Sequence, residues 1–197
     1  GPFTYIVGVQ DPNRIAGIIN INNAVNTEFY IEDTVKILDP NIIGFNSSPQ
    51  LLNPPIEYGN VDQTFIHNPN AFDPDGDSLS FYISSPLRAL GTPVGGYSPP
   101  NLINPGPDNQ ISINQRTGEF IWITPQLAGI YNIVIVIREF RNGILIGTVI
   151  RDLQIIIDAT NNLPPRLTVP LQICKVIGDT ISFTATAFDP NTQDKVT

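Results

Sequence analysis

The chain has 197 residues, of which 41% are hydrophobic and only 14% charged, and its net charge is -8. This hydrophobic content can form a core and argues against disorder, while an acidic chain cannot neutralise the phosphates of a nucleic acid, so we expect no nucleic-acid partner. A single Cys and a single His exclude an internal disulfide, a zinc site of those residue types, and Ser/His or Cys/His catalysis.

Runs of β-branched and aromatic residues, bounded by Gly, Pro, Asn or Asp, predict strands along the whole chain. In chain order these runs are 4–9, 29–38, 79–83, 130–137, 144–150 and 153–157. Asn142-Gly143 predicts a tight antiparallel hairpin of the flanking runs, because both turn positions favour a positive φ. Gly118 predicts a second hairpin between 111–113 and 120–123. Many short strands separated by turn residues predict an all-β fold of the β-sandwich type.

An internal repeat is the most informative feature of the sequence. Residues 64–75 align without a gap with residues 180–191, and both copies contain Ala-Phe-Asp-Pro. A Pro-Pro pair precedes each copy, at Pro54-Pro55 and Pro164-Pro165. The offset of 110 residues between these pairs, the difference between 164 and 54, matches the size of one immunoglobulin-type sandwich.

The repeat predicts a tandem array of modules. Residues 1–48 are then the C-terminal part of a preceding module, 49–160 a complete sandwich, and 161–197 the first strands of the next repeat. The sequence contains no Met and no signal peptide, which fits a piece of a longer protein.

Three stretches of the complete module, 71–80, 117–122 and 129–133, resemble bacterial cadherin-like and dystroglycan-type immunoglobulin modules. A more specific resemblance is to the repeat units of giant Bacteroidetes surface proteins, the SprB-like gliding-motility adhesins. The stretches that carry it are 11–14, 46–52, 138–143 and 151–154.

The resemblance implies a function that is structural and adhesive, without enzymatic activity. It implies a protein exported by the type 9 secretion system and carried on the outer membrane, where tandem modules form an extended filament for surface attachment and gliding. The implied location is the extracellular cell surface. The implied partners are neighbouring repeat modules, the gliding and secretion machinery, and an extracellular surface or polysaccharide. The alternative is an immunoglobulin-like accessory carbohydrate-binding or spacer module of a secreted polysaccharide-degrading enzyme.

Three carboxylates at alternate positions, Asp73, Asp75 and Asp77, lie on a predicted turn between two strands. Hard cations prefer such oxygen ligands, although the spacing does not fit an EF-hand. The cadherin-like resemblance implies that Asp158 and Asn161, in the linker that follows the module, would complete a calcium site. The competing interpretation is that the Asp and Gly residues only form the turn, through bonds from side chain to backbone.

Other polar and aromatic residues of the module have structural interpretations. Glu139 and Asp152 lie close in sequence to several Arg residues and predict cross-strand ion pairs. Tyr131 fits a tyrosine corner. Strand alternation favours a core position for Trp122 over a sugar-stacking one. The resemblance to the repeat family implies that Cys174 is half of a disulfide whose partner lies outside this sequence, and the competing interpretation is a small buried hydrophobe.

Overall fold

The computed structural model describes residues 3–37, 44–170 and 172–191. Within them the protein is all-β, as the sequence predicts, and the chain divides into two compact units, Gly1–Ala159 and Thr160–Thr197. The strands of the first unit are β1 (Phe3–Asp11), β2 (Phe29–Ile37), β3 (Gln50–Leu51), β4 (Ile56–Asn60), β5 (Phe65–His67), β6 (Ala71–Phe72), β7 (Ser78–Ser84), β8 (Leu87–Ala89), β9 (Thr92–Pro93), β10 (Gln110–Ile113), β11 (Phe120–Ile123), β12 (Gly129–Arg141) and β13 (Ile144–Asp158). Single 3₁₀ turns lie at Ala24–Asn26 and Pro100–Leu102, and the second unit contains β14 (Arg166–Thr168) and β15 (Thr186–Phe188).

The centre of the first unit is the antiparallel hairpin of β12 and β13. Its turn is Asn142-Gly143, with φ of 52° and 78°, and this confirms the predicted hairpin and the physical reason for it. In the large sheet β7 pairs with the outer edge of β12, while β2 and β4 pair with different parts of the outer edge of β13. The predicted strand 29–38 ends at Ile37, and Leu38 lies outside the described residues.

A second sheet of three strands, in the order β10-β11-β5, packs against the large sheet and makes a sandwich. The predicted hairpin of β10 and β11 is confirmed, with Gly118 in its loop at a φ of 75°. Trp122 is fully buried in the core between the sheets, as strand alternation predicts. Its ring meets the edge of the Tyr131 ring at a centroid distance of 4.8 Å, and its Nε1–H donates to Asn109 Oδ1 at 2.6 Å.

Residues 3–37 belong to the same compact unit as β3–β13. Asn20 bonds both backbone groups of Asn132: its Nδ2 donates to the carbonyl at 2.8 Å, and its Oδ1 accepts from the N–H at 2.8 Å. Ile18 and Ile21 form a small apolar cluster with Val94 on this face of β12. The structure therefore differs from the prediction that residues 1–48 end a separate module, because these segments cover a face of β12 that would otherwise expose apolar side chains.

The internal repeat is a repeat of structure as well as of sequence. In β3 and β6 Gln50 is opposite Phe72, and in β14 and β15 Arg166 is opposite Phe188. Both pairs are related by an offset of 116 residues, the difference between 166 and 50. The same offset relates the positive-φ residues Asp62 and Gly178, at 59° and 99°, so the second unit begins as the module in the first unit does.

The offset of 116 residues corrects one predicted equivalence. It aligns Pro165 with Pro49, so the two Pro-Pro pairs of the sequence do not occupy the same place in the repeat. The same offset aligns Cys174 with Tyr58 of β4. Cys174 is exposed, which contradicts its interpretation as a small buried hydrophobe.

Tyr131 forms the predicted tyrosine corner. Its hydroxyl donates to the carbonyl of Leu127, four residues upstream, at 2.6 Å, and burial raises the pKa of the phenol to about 12. The bond ties the loop that precedes β12 to the first residues of that strand.

We predict that Tyr131→Phe lowers the free energy of unfolding by about 1 kcal/mol, because the ring stays packed while one hydrogen bond is lost. Urea unfolding followed by the fluorescence of Trp122 measures the change. Tyr58→Phe is the matched control, since Tyr58 is exposed and its hydroxyl has no hydrogen bond within the described residues. Equal stability of the two variants would contradict the role of the corner.

Candidate metal centre

The loop between β6 and β7 is held by the side chain of Asp73. Its Oδ1 accepts hydrogen bonds from the N–H groups of Asp75 and Asp77, at 2.9 and 3.1 Å. Gly76 takes a φ of 82° in the same turn, a conformation that costs Gly little. The turn interpretation of this motif is therefore confirmed for one oxygen of Asp73, and the other, Oδ2, is buried without a hydrogen-bond partner in the described residues.

Glu139 reaches this loop from β12. The register places it between Leu79 of β7 and Gly147 of β13, and a register shift in the pairing with β13 follows it at Phe140. A Cβ atom at position 147 would collide with Oε2 of Glu139, so glycine at this position makes room for the carboxylate. Glu139 is 0% exposed.

Three carboxylates meet here, and the ligand oxygens of Asp73, Asp77 and Glu139 all lie within 4.8 Å of one another. We call this group the carboxylate cluster. Neither oxygen of Glu139 has a hydrogen-bond partner among the described residues. Burial raises the pKa of Glu139 to about 7, the nearby Asn46 amide opposes this rise, and the charges of Asp73 and Asp77 add to it.

Arg141 balances part of this negative charge. Its Nε donates to both carboxylate oxygens of Asp77, at 2.8 and 3.1 Å, and a second nitrogen also pairs with that group. The guanidinium holds the pKa of Asp77 below its usual value. Arg141 also donates to the carbonyl of Phe45 and to Oδ1 of Asn46, each at 2.8 Å, so it ties the segment before the module to the cluster.

The cluster fits a hard divalent cation. Its available ligand atoms are carboxylate oxygens, namely Oδ2 of Asp73 and both oxygens of Glu139. They are buried beside Asp77, and no group of the described residues donates a hydrogen bond to them. Buried oxygens that lack donors are costly unless another positive group satisfies them. Calcium suits such an irregular oxygen set better than magnesium, which demands near-ideal octahedral geometry. A bound cation would supply charge neutralisation and a tie between loop and strand.

The structure brings together only part of the predicted calcium ligands. Asp73 and Asp77 belong to the cluster, while Asp75 lies beside it with Oδ2 accepting from the N–H of Ser47 at 2.6 Å. Asp158 is elsewhere, because it follows Ile157, which pairs with Gly129 at the far end of β12. Glu139 lies ten positions after Gly129 on β12, which corresponds to about 33 Å of strand. Asn161 belongs to the second unit.

Sequence reasoning missed Glu139 as a member of the cluster and assigned the wrong ion pairs. Arg141 pairs with Asp77 rather than with Glu139, and Asp152 pairs with Arg14 at 2.9 Å. The available signal was an acidic residue two positions after the apolar run 133–137, on the same strand face as Ile135 and Ile137. Buried carboxylates are rare unless they are paired or bind metals.

No protein-family model matches the chain, and no curated protein matches it significantly. Within the described residues, no helix has the length and apolar character needed to cross a membrane. The candidate site therefore stands on its geometry.

We predict that Ca²⁺ stabilises the protein through the cluster, with a dissociation constant on the order of 0.1–1 mM. At about 100 times that constant, Ca²⁺ would raise the free energy of unfolding by about 2.7 kcal/mol. Thermal unfolding in a Ca²⁺ series, reversed by EGTA, measures this effect. Glu139→Gln and Asp73→Asn should lose it, whereas Glu119→Gln, which removes an exposed carboxylate outside the cluster, should retain it. Equal stabilisation of all variants would place the cation elsewhere.

We also predict a pH dependence in the absence of metal. A carboxyl whose pKa is raised by folding binds its proton more tightly in the folded chain, so its stabilising contribution is full at acidic pH and is lost as pH rises. For Glu139 the loss spans the range from its ordinary value of 4.5 to about 7, and it amounts to at most about 3 kcal/mol. Urea unfolding in EGTA across this range should show the loss in the wild type and in Glu119→Gln. Glu139→Gln should lack it, and an unchanged pH profile in that variant would contradict the assignment.

Proposed function

We propose that the chain is a segment of a large extracellular adhesin built from tandem immunoglobulin- or cadherin-like β-sandwich modules, with a structural and adhesive function and no catalytic one. The observation that carries this proposal is the repeat, which holds at one offset of 116 residues in sequence, strand register and turn conformation. Fixed-period repetition of one supersecondary unit is the signature of proteins that gain length by adding modules.

Each copy of the repeat fastens the segment that precedes it. In the first unit the N–H of Ser47 donates to Asp75, and in the second unit the N–H of Leu163 donates to Oδ1 of Asn191 at 2.7 Å. These bonds are again 116 residues apart, the difference between 163 and 47. Because the preceding segment is bonded to each module in the same way, tension along the chain would be carried into the module through these bonds.

The carboxylate cluster strengthens this fastening in the complete module. Arg141 holds Phe45 and Asn46, and a cation on the cluster would neutralise the acidic loop to which Ser47 is bonded. Proline restricts the same segments, at Pro49 and at the equivalent Pro165. We infer that calcium acts here as a stiffening ion and takes no part in chemistry.

The resemblance to gliding-motility adhesins supports the remaining parts of the proposal. These are export by the type 9 secretion system, attachment to the outer membrane, a filament of many modules, and an extracellular surface or polysaccharide as the target. The neighbouring modules and the gliding and secretion machinery are the corresponding partners.

Protease shaving of intact cells tests the proposal. An antibody raised against residues 49–160 is used for immunoblotting of whole cells with and without external protease, and a periplasmic protein serves as the control for cell integrity. We expect a very large polypeptide that protease destroys while the control protein survives. A band of ordinary enzyme size would instead favour the accessory module of a polysaccharide-degrading enzyme, and a band that protease leaves intact would contradict surface exposure.

A further inference from the structure

The hairpin of β1 and β2 is the counterpart of the hairpin of β12 and β13. The repeat offset of 116 residues places β2, Phe29–Ile37, on residues 145–153 of β13. Both hairpins are antiparallel, and at this offset both are followed by a bonded residue, Ser47 and Leu163 respectively. Three opposed pairs of the first hairpin correspond to three of the second: Phe3 and Ile37 to Ile133 and Leu153, Tyr5 and Val35 to Ile135 and Arg151, and Val7 and Asp33 to Ile137 and Val149.

β1 exposes the side that β12 buries. Phe3, Tyr5 and Val7 are 63%, 53% and 67% exposed, whereas their counterparts on β12 are all 0% exposed. Val9 and Ile37 continue the apolar surface on the same side, at 60% and 55%, and we call these five residues the hairpin face. Within the described residues β1 pairs only with β2. An apolar strand with an unpaired edge favours pairing with another chain.

The second unit exposes apolar residues of the kind that cover such a hairpin. Its residues 166–188 are the counterparts of β3–β6. In the first unit Leu51, Val61 and Phe65 pack in the core with side chains of β12 and β13. The counterparts of these three residues and of the buried His67 are exposed, and we call them the second-unit face: Leu167 at 68%, Ile177 at 103%, Ile181 at 59% and Phe183 at 59%.

The two faces match the two halves of one sandwich core. In the first unit the counterparts of both faces meet in a single buried cluster. Residues 172–176, the counterparts of β4, form no strand, whereas β4 itself pairs with β13. Packing one face on the other would remove apolar surface from water on both sides, which is favourable. Since each chain carries one face of each kind, such a contact between copies is heterologous and runs head to tail.

Charge favours this contact over one between two hairpin faces. The first unit has 7 Lys and Arg against 15 Asp and Glu, a net charge of -8, while the second unit has 3 against 3 and is neutral. Two copies joined through their β1 edges would bring together two units of charge -8, which repel each other. A first unit that meets the second unit of another copy meets no net charge.

We propose that the second unit of one copy packs on the β1–β2 hairpin of another copy, so that the chains associate head to tail. The proposal rests on the repeat and on the exposure of the two faces, and it does not depend on the adhesive function. Within the described residues neither face carries a counterpart of β10 or β11, so the shared core is smaller than that of the complete module. Small interfaces are weak and transient, and we expect a dissociation constant on the order of 10–100 µM.

The test measures the mass of the full chain by sedimentation at concentrations between about 1 and 500 µM. Val7→Lys places a charge on the hairpin face, and Ile177→Lys places one on the second-unit face. Tyr5→Lys and Ile181→Lys are the alternatives if either variant is unstable. Ile66→Lys is the matched control, because Ile66 is an exposed apolar residue of β5 outside both faces. Circular dichroism and the fluorescence of Trp122 verify that each variant is folded.

We expect the average mass of the wild type and of Ile66→Lys to rise with concentration. Val7→Lys and Ile177→Lys should each associate at least tenfold more weakly when alone. An equimolar mixture of the two should form dimers and nothing larger, because it contains one intact face of each kind. This result separates a specific head-to-tail contact from general stickiness of apolar surface.

Three results would overturn the proposal. The first is a wild type that stays monomeric at all concentrations, and the second is undiminished association of either single variant. The third is a mixture of Val7→Lys and Ile177→Lys that stays monomeric although the wild type associates. Because the measurement uses the purified chain, any of these results would leave the adhesin proposal to be decided by protease shaving of cells.

Discussion

The antiparallel pairing of β12 with β13 is the contact on which the rest of the first unit depends. All thirteen residues from Gly129 to Arg141 have a partner on β13. The outer edge of β12 adds β7, and the outer edge of β13 adds both β2 and β4. Because β12 is apolar on both faces, it needs two coverings, and it obtains one from the three-stranded sheet and the other from residues 14–30. One long hairpin thus sets the position of every other layer.

The segment 14–30 is held on β12 and β13 largely by polar contacts. Asn20 bonds the backbone of Asn132 much as a neighbouring strand would, and Arg14 is buried against Asp152. Burial raises the pKa of Asp152 even though Arg14 and Asn132 oppose the rise. Desolvation costs several kcal/mol for each buried ion and offsets much of the attraction between Arg14 and Asp152, whereas removing one partner alone would leave an uncompensated buried charge. The arrangement of Arg14 and Asp152 leaves a cavity beside the pair, with one guanidinium donor unpartnered within the described residues.

The unpartnered groups of the carboxylate cluster are acceptors, whereas the unpartnered group beside the cavity is a donor, the Arg14 Nε–H. Asp73, Asp77 and Glu139 together carry more negative charge than Arg141 neutralises, and the surplus lies on buried oxygens. A hard cation is the ligand that would satisfy these oxygens. The cluster joins the strands of the sandwich to residues 45–47, which precede β3 in the same compact unit.

The sequence by itself determined the longer strands, both hairpins, the tyrosine corner and the existence of a repeat, because these features depend on side-chain alternation and on turn residues within a few positions of one another. The ungapped alignment of 64–75 with 180–191 already contains the period of 116 residues, the difference between 180 and 64. The Pro pairs gave 110 because they lie in loops and carry no register, and the ladders of β3 with β6 and of β14 with β15 decide for 116. Only the tertiary structure brought Glu139 to Asp77 and left Asp158 at the far end of the strand. The physical reason is that strand register, which depends on contacts between residues distant in sequence, decides which carboxylates share an edge of the sheet.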